Sequence, residues 1–450
     1  MGKVIIGAHP AYGHVVPVRA IAVDLVRRGH DVTFVTGTAY RDDIERYGLR
    51  FVPLSGAADV DSRTLHQRHP ELRALPREEA FDRAMSHVFI ETLAAQHHTI
   101  QTEIAKAGDG PVVVLHENMF MGMWPALLGA PVNRHVPVLS IGVLTITMTS
   151  VDTAPFRTGL PPDSSEQGRE RNRERNRVFQ ERGIPHTQRG LEEVLRGLGV
   201  TRRPPFLLDG VVTLPDQYLQ LCVEAIEYPR SDAPASLRFV GALPIGARDG
   251  HHHPLPEWWN DVIASDRPVI AVSQGTQANH DLSELIEPTL EALADLDVLV
   301  VATTGRDAVP TQVPANARVA PFVDFDLLLP HVDVFVQNGG YGGVQQSLAH
   351  GVPLVLAGQS EDKTEATARV AWTGAAINLA TSRPDVAAIR RAVQTVLGGS
   401  HYRERAAELS IEYARHDALA EIAATVDQYL AISAAPVVRA TPHSLSTDGV

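Results

Sequence analysis

The chain carries one cysteine, Cys222, in 450 residues. That excludes an internal disulfide and suits a reducing compartment. Nowhere does it approach the roughly 18 consecutive apolar residues that a membrane-spanning helix requires. Its opening, MGKVIIGAHP, lacks the long apolar core of a secretory signal and passes straight into strand-like sequence, so the expected location is the cytoplasm. There is no cationic excess either: 40 Lys and Arg against 53 Asp and Glu leave a formal charge of -13. This argues against a nucleic-acid ligand and leaves open a single nucleotide, whose binding is decided by local groups. One more absence is specific. A dinucleotide enzyme of the nicotinamide type needs G-x-G-x-x-G after its first strand. The loop here is Ala8-His9-Pro10-Ala11-Tyr12-Gly13-His14, with a single glycine. A nicotinamide-dependent oxidoreductase is therefore a weak rival.

What is present is an ordinary soluble composition, 44% hydrophobic and 21% charged, on a chain too long for one core. Two domains are expected. The second is organised around 332–379. The pattern predicts a buried strand over 332–336, a break at Asn338-Gly339-Gly340, a helix over 344–350 closed by Gly351 and Pro353, and another buried strand over 354–356. Gly339, Gly340, Gly342 and Gly343 put four glycines into five positions. Such a turn lets backbone approach a ligand closely, and the following helix N-terminus presents free N–H groups that suit a phosphate. Tight packing alone would use the same glycines.

The first half opens with a βαβ unit: strand over 4–8, loop over 9–15, helix over 18–28, strand over 31–36. His14 sits in its loop. A histidine near pKa 6.5 can take the proton of an alcohol as that alcohol attacks, although a lone loop histidine more often caps or hydrates. His9 and His30 are rivals. His30 ends a helix, where a positive charge is favourable, and reads as structural. A buried strand over 111–115 ends at His116-Glu117-Asn118, the end that faces the ligand crevice in open α/β sheets. Met119, Phe120, Met121, Met123 and Trp124 follow and suit either an apolar pocket mouth or the core. Met85, Val88, Phe89 and Leu93, at helical spacing in a polar stretch, fit pocket lining or, more simply, packing.

Further along, the pattern predicts a strand over 138–149, a solvated mixed-charge helix within 161–182, strand and turn over 211–221, and a long helical end over 402–430. The linker contains His251-His252-His253. Adjacent side chains on regular backbone do not converge on one ion, so these read as solvated. The last residues, rich in Ser, Thr and Pro, are expected to be loosely ordered.

Taken together, these strings resemble the family-1 glycosyltransferases of GT-B fold. That family's donor signature, in outline His-Gly-Gly-x-Gly-Thr-x-x-Glu-Ala-Leu, then Gly-Val-Pro, Asp-Gln and an Arg-Val helix, is matched in spacing by Asn338 to Leu348, Gly351-Val352-Pro353, Asp362-Lys363 and Arg369-Val370. Its opening, Gly-His-x-x-Pro and Arg-Gly-His-x-Val, is matched by Gly13-His14-Val15-Val16-Pro17 and Arg28-Gly29-His30-Asp31-Val32. The resemblance spans roughly residues 3 to 430, strongest in the second half.

The resemblance implies an α/β protein with two Rossmann-like domains facing a central cleft. These are an acceptor-binding domain over 1–242, a linker over 243–260, a nucleotide-sugar domain over 261–415, a returning helix over 416–432 and a tail over 433–450. It implies an inverting transfer in which His14 is the base and Glu117, where the family usually has Asp, orients it. Donor contacts fall to Gly13, Gly275, Thr276, Phe322, Val323, Asn338, Gly339, Gly340, Gly342, Gly343, Gln346, Asp362 and Lys363, with backbone near Val323 reading the pyrimidine. Neither cofactor nor metal is implied, only a UDP- or dTDP-sugar as co-substrate. The acceptor would be a small, largely apolar molecule, a secondary metabolite or antibiotic, and the protein a monomer or homodimer. Asn338 replaces His, Gln346 replaces Glu and Lys363 replaces Gln, which bears on leaving-group charge and donor choice. A sugar-nucleotide-binding partner of another transferase, without turnover, is the alternative from a different class.

Overall fold

A computed structural model describes residues 2–61, 64–244, 254–275 and 279–434. Valine-, isoleucine- and leucine-rich runs, buried on both faces, form two parallel sheets, as continuous apolar strands do when helices cover each side. The first sheet comprises β1 (Lys3–Gly7), β2 (Asp31–Thr36), β3 (Arg50–Pro53), β4 (Val112–Glu117), β5 (Val138–Gly142), β6 (Gln217–Gln220) and β7 (Leu237–Phe239). The second comprises β8 (Val269–Ser273), β9 (Leu299–Thr303), β10 (Ala317–Ala320), β11 (Val334–Gln337), β12 (Leu354–Leu356) and β13 (Ala376–Asn378). Their orders are β3-β2-β1-β4-β5-β6-β7 and β10-β9-β8-β11-β12-β13. Alternate residues feed opposite cores: Ile6, Val113 and Leu115 pack on one face of the first sheet, Ile5, Val112 and Val114 on the other.

This order positions the site. In each sheet the strand sequence reverses direction once, between β1 and β4 and between β8 and β11. Loops leaving two such neighbours diverge and open a crevice at the C-terminal strand ends. In register, Gly7 lies beside His116 and Gln337 beside Ser273. Chain segments far apart in sequence thus meet above each reversal.

Several elements differ from expectation. The first helix runs Tyr12–Arg27 and begins six residues early, so His14 stands in its first turn, not in a loop. Pro17 is consequently interior. Its missing N–H would have bonded the carbonyl of Gly13, a solvent-exposed residue. Similarly, the helix after the glycine turn runs Tyr341–Ala349, so Gly342 and Gly343 belong to its first turn. β5 stops at Gly142 because its partner β6 stops at Gln220. Beyond it side chains replace the ladder: Asn118 accepts from Val143 N–H (3.1 Å), Glu227 from Ile146 N–H (3.2 Å) and Asp209 from Thr149 N–H (2.7 Å). Over 211–221, Val211 and Val212 are helical, in Leu207–Thr213, and the strand is only β6. A short apolar run does not distinguish the two. The helical end is two helices, Ser400–Tyr413 and Ala418–Ala434. The latter packs Leu419, Ile422, Val426 and Leu430 with Val4 and Ile6 of the first sheet. Met119 to Met121, Met123 and Trp124 are all core, at most 3% exposed, so they do not form a pocket mouth. The mixed-charge helix is Glu166–Arg182, exposed except for a face where Asn176 donates to the carbonyls of Ser150 (2.8 Å) and Thr153 (3.0 Å). His251 to His253 lie outside the described residues.

Candidate active site

Glu117 ends β4 with its side chain fully buried. A bare carboxylate there would be costly, and it is satisfied on both oxygens. Its Oε1 accepts from His9 N–H (3.0 Å), and its Oε2 from Met119 N–H (2.8 Å) and His14 Nδ1 (2.7 Å). Burial pushes the Glu117 carboxyl up, but His14 and the N–H groups outweigh this and hold it below the usual range. For His14, burial pulls the imidazole down, yet Glu117 first, then Asp362 and Glu361, raise it above its ordinary value. With Nδ1–H directed at the carboxylate, Nε2 carries the lone pair that can take a proton. The first turn of Tyr12–Arg27 brings His14 to the end of β4.

The rival histidines are separated by environment. His9 is wholly buried, its ring edge-on to that of His14 at 5.8 Å. Burial, then the nearby His14, pull it down to about 3, so it stays neutral and is a poor base. His30 Nε2 lies 3.4 Å from Asp427 and ties the last helix to the first sheet. Phe89 stacks obliquely on both, 4.9 Å from the His9 ring and 6.1 Å from that of His14. Met85 and Leu93 are core, whereas Phe89 is half-buried at the pair.

Above the second reversal, Gly275 follows β8 and Asn338 follows β11. Asn338 bridges the two loops: its amide donates to the Gln274 carbonyl and accepts from Gly340 N–H (3.3 Å). Gly339 holds φ +78°, and a Cβ there would stand 2.4 Å from the Thr367 methyl. At Gly358 a Cβ would stand 2.0 Å from the Asn338 carbonyl. Both glycines are demanded by close approach. The crevice is lined by Gln274, Asn338, Ala357, Gly358, Ser360 and Lys363. Lys363 is nearly buried, its Nζ paired with Glu361 and donating to Ser360 Oγ (3.1 Å). Beside it Asp362 is pushed up by burial, and its Oδ2 has no partner among the described groups. Gly342 faces open space, as does Gly13 across the cleft, whereas a Cβ on Gly343 would stand 2.9 Å from Gln337 Oε1. Gln346 and Val323 are buried, the latter in the second core, and Phe322 is partly exposed. Thr276 lies outside the described residues.

The halves are joined by a buried charge cluster. Arg369 donates to Glu227 (2.8 Å), Glu365 (2.7 Å) and the Ile146 carbonyl (3.0 Å). Arg230 also reaches Glu227 (3.2 Å), and Glu365 accepts from Gly159 N–H (2.9 Å). A crevice of about 540 Å³ opens nearby between Phe81 and Arg157 of the first half and Gln359 and Glu361 of the second. Sequence reasoning missed Phe89 as a neighbour of the pair, Glu361 as the partner of Lys363, and Glu227. Arg369 had a signal, its place in the Arg-Val motif, but no assigned partner.

Two parallel sheets, each opened at a strand reversal, make the two-domain architecture of the GT-B fold. Residues 287–428 match the family described as "Erythromycin biosynthesis protein CIII-like, C-terminal domain". UDP-glycosyltransferase 2 of Phaeomoniella chlamydospora is 44% identical over 437 residues, covering 95% of this chain and 96% of that protein. The 4'-demethylrebeccamycin synthase of Lentzea aerocolonigenes is 38% identical over 422 residues, covering 93% and 97%. Among solved structures, the glycosyltransferase VinC in complex with dTDP has the same fold, with a TM-score of 0.65 at 19% identity over 96% of this chain and 100% of that one. The chain belongs to the family-1 glycosyltransferases, enzymes that draw on nucleotide-sugar donors. No helix among the described residues is long and apolar enough to cross a membrane.

Proposed function

We propose that the protein moves a sugar from a UDP- or dTDP-sugar to a hydroxyl of a small, largely apolar acceptor, with inversion at C1. One observation carries this reading: His14 Nδ1 held 2.7 Å from a buried, otherwise satisfied Glu117 carboxylate, at a strand end facing the second half. His14 Nε2 takes the hydroxyl proton. The acceptor oxygen forms its bond to C1 as the C1–phosphate oxygen bond breaks on the opposite face, and the nucleoside diphosphate departs with the bonding pair. Glu117 remains ionised and stabilises the imidazolium.

The stretch 1–242 would hold the acceptor and 261–415 the donor, with 243–260 between and 416–432 returning to the first half. N–H groups at Gly339, Gly340, Gly342 and Gly343, that of Gly340 shared with Asn338 Oδ1, receive the leaving charge with the aid of Gly275, Thr276 and Asn338, and neither a metal nor a cofactor is needed for that task. Gly13 leaves room for substrate beside His14. The pyrimidine lies against Phe322 and Val323, the ribose meets Gln346, and the unpartnered Asp362 Oδ2 takes a sugar hydroxyl. Lys363 is already neutralised by Glu361. Its charge is spent within the loop, which favours a neutral deoxysugar over a uronic acid. Names of similar proteins support both donor types: the Phaeomoniella chlamydospora protein is a UDP-glycosyltransferase, and VinC was solved with dTDP.

The test is a thermal-shift titration with UDP, dTDP, GDP and NAD, followed by assay of nucleoside diphosphate release from the matching sugar nucleotide with aromatic and macrolide alcohols. Stabilisation by UDP or dTDP and acceptor-dependent release are expected. A response to NAD alone would overturn the donor site. Binding without release to any acceptor would favour the reading of a non-catalytic partner.

A further inference from the structure

A second cluster of ligand-type side chains lies outside the catalytic pair, on the segment 69–91. His69, Glu71 and His87 each bring one donor atom within 4.8 Å of the others. His69 Nδ1 is 3.2 Å from Glu71 Oε1, and His87 Nε2 is 4.0 Å from the same oxygen. In a tetrahedral zinc site, bonds of about 2.0–2.1 Å put neighbouring ligand atoms about 3.3–3.4 Å apart, and the two spacings bracket that. The imidazoles stack with centroids 3.9 Å apart and planes 17° from parallel. Rotation of either ring about its broad terminal torsion turns the nitrogens toward a common point. His87 Nδ1 is meanwhile taken by Glu91 Oε1 at 2.6 Å. A carboxylate on the far nitrogen fixes the tautomer and leaves Nε2 as the ligand atom, the usual support behind a metal-bound histidine.

The backbone reaches this arrangement by an uncommon route. Residues Ser86–Ile90 form a single π-helical turn between the helices Arg77–Met85 and Leu93–Lys106. Such turns are rare and recur at functional positions. This one serves two neighbours at once, carrying His87 to His69 and Phe89 to the His9–His14 pair.

We propose that His69, Glu71 and His87 bind a divalent zinc-type cation, with Glu91 orienting His87 and water completing the tetrahedron. Two imidazoles and one carboxylate suit a borderline ion, whereas calcium and magnesium favour all-oxygen shells. The ion takes no part in sugar transfer. It clamps the 69–71 turn onto the π turn and so holds Phe89 against the base.

The experiment uses untagged protein stripped with EDTA and titrated with zinc chloride, read by calorimetry and by melting temperature. One equivalent is expected to bind and to raise the melting temperature. H69A and H87A are expected to lose both effects while melting like the wild type in the absence of metal. E91Q, which removes no ligand, is expected to weaken binding about 10–100-fold. Because His251, His252 and His253 offer a rival tract, a variant with serine at all three is expected to bind as the wild type does. The proposal is overturned if the wild type takes up no saturable zinc, if H69A and H87A take it up equally well, or if only the triple-serine variant loses it.

Discussion

Two buried charge clusters in this molecule invite comparison. At the cleft, Glu117 is fully buried and its partner His14 is 17% exposed at the side chain. At the seam between the halves, Arg369, Glu227 and Glu365 are 3%, 1% and 6% exposed. Both satisfy carboxylates with backbone N–H groups and a basic side chain. They differ in that partner. Arginine stays charged at any physiological pH, and all three donating nitrogens of Arg369 are occupied by Glu227, Glu365 and the Ile146 carbonyl. Histidine can gain and lose its proton and keeps one ring nitrogen for substrate. A permanent charge with every nitrogen engaged holds two bodies in register, whereas a titratable one with an unused nitrogen is able to exchange a proton. Burial alone does not distinguish the roles.

Removing each partner separates them. H14A is expected to lower nucleoside diphosphate release about 10²–10⁴-fold, the usual weight of a general base. Its stability cost should be only that of one charge-assisted hydrogen bond, about 1.5–3 kcal/mol. A variant with unimpaired turnover would remove His14 from the mechanism. R369M should do the reverse in kind. It leaves buried Glu365 with no cationic partner and Glu227 with Arg230 alone, and is expected to cost about 3–5 kcal/mol, read as a lower urea midpoint. An unchanged midpoint would show that the seam is not held by this cluster.

The third change sharpens the contrast without breaking either cluster. With His14 as the proposed base, transfer requires it neutral, so kcat/KM should fall as pH drops through a midpoint above the ordinary histidine value of 6.5. Glu117 is the principal group raising that midpoint. In E117Q the acid limb should therefore move to lower pH while the plateau rate falls. The pH profile of the seam variant R369M, assayed where it is folded, should keep the wild-type midpoint. An acid limb unmoved in E117Q would mean that another group sets it.

His14 and Glu117 are singled out by the resemblance to the family's motifs, whereas local pattern sufficed for the two-domain α/β plan and for the glycine turn at Asn338 to Gly343. These rest on short-range physics: continuous apolar runs where strands are buried on both faces, and glycines where backbone approaches closely. Where apolar runs were short, the same pattern misled. Val211 and Val212 are helical, and Met119 to Trp124 are core. A run of large apolar residues records that it is buried, not against what.

The amino-acid sequence by itself determined the alternation of strands and helices, the absence of a dinucleotide loop, and the residue types able to move a proton and receive a phosphate. Each is a property of neighbours along the chain. Only the tertiary structure decided that His14 and Glu117, 103 positions apart, share a hydrogen bond. It likewise decided that His9 is too buried to ionise, that Asn338 is engaged by Gln274, that Lys363 is paired with Glu361, and that a π turn brings Phe89 beside His14. Partner choice and pKa depend on distance and desolvation in three dimensions, and strand order sets both.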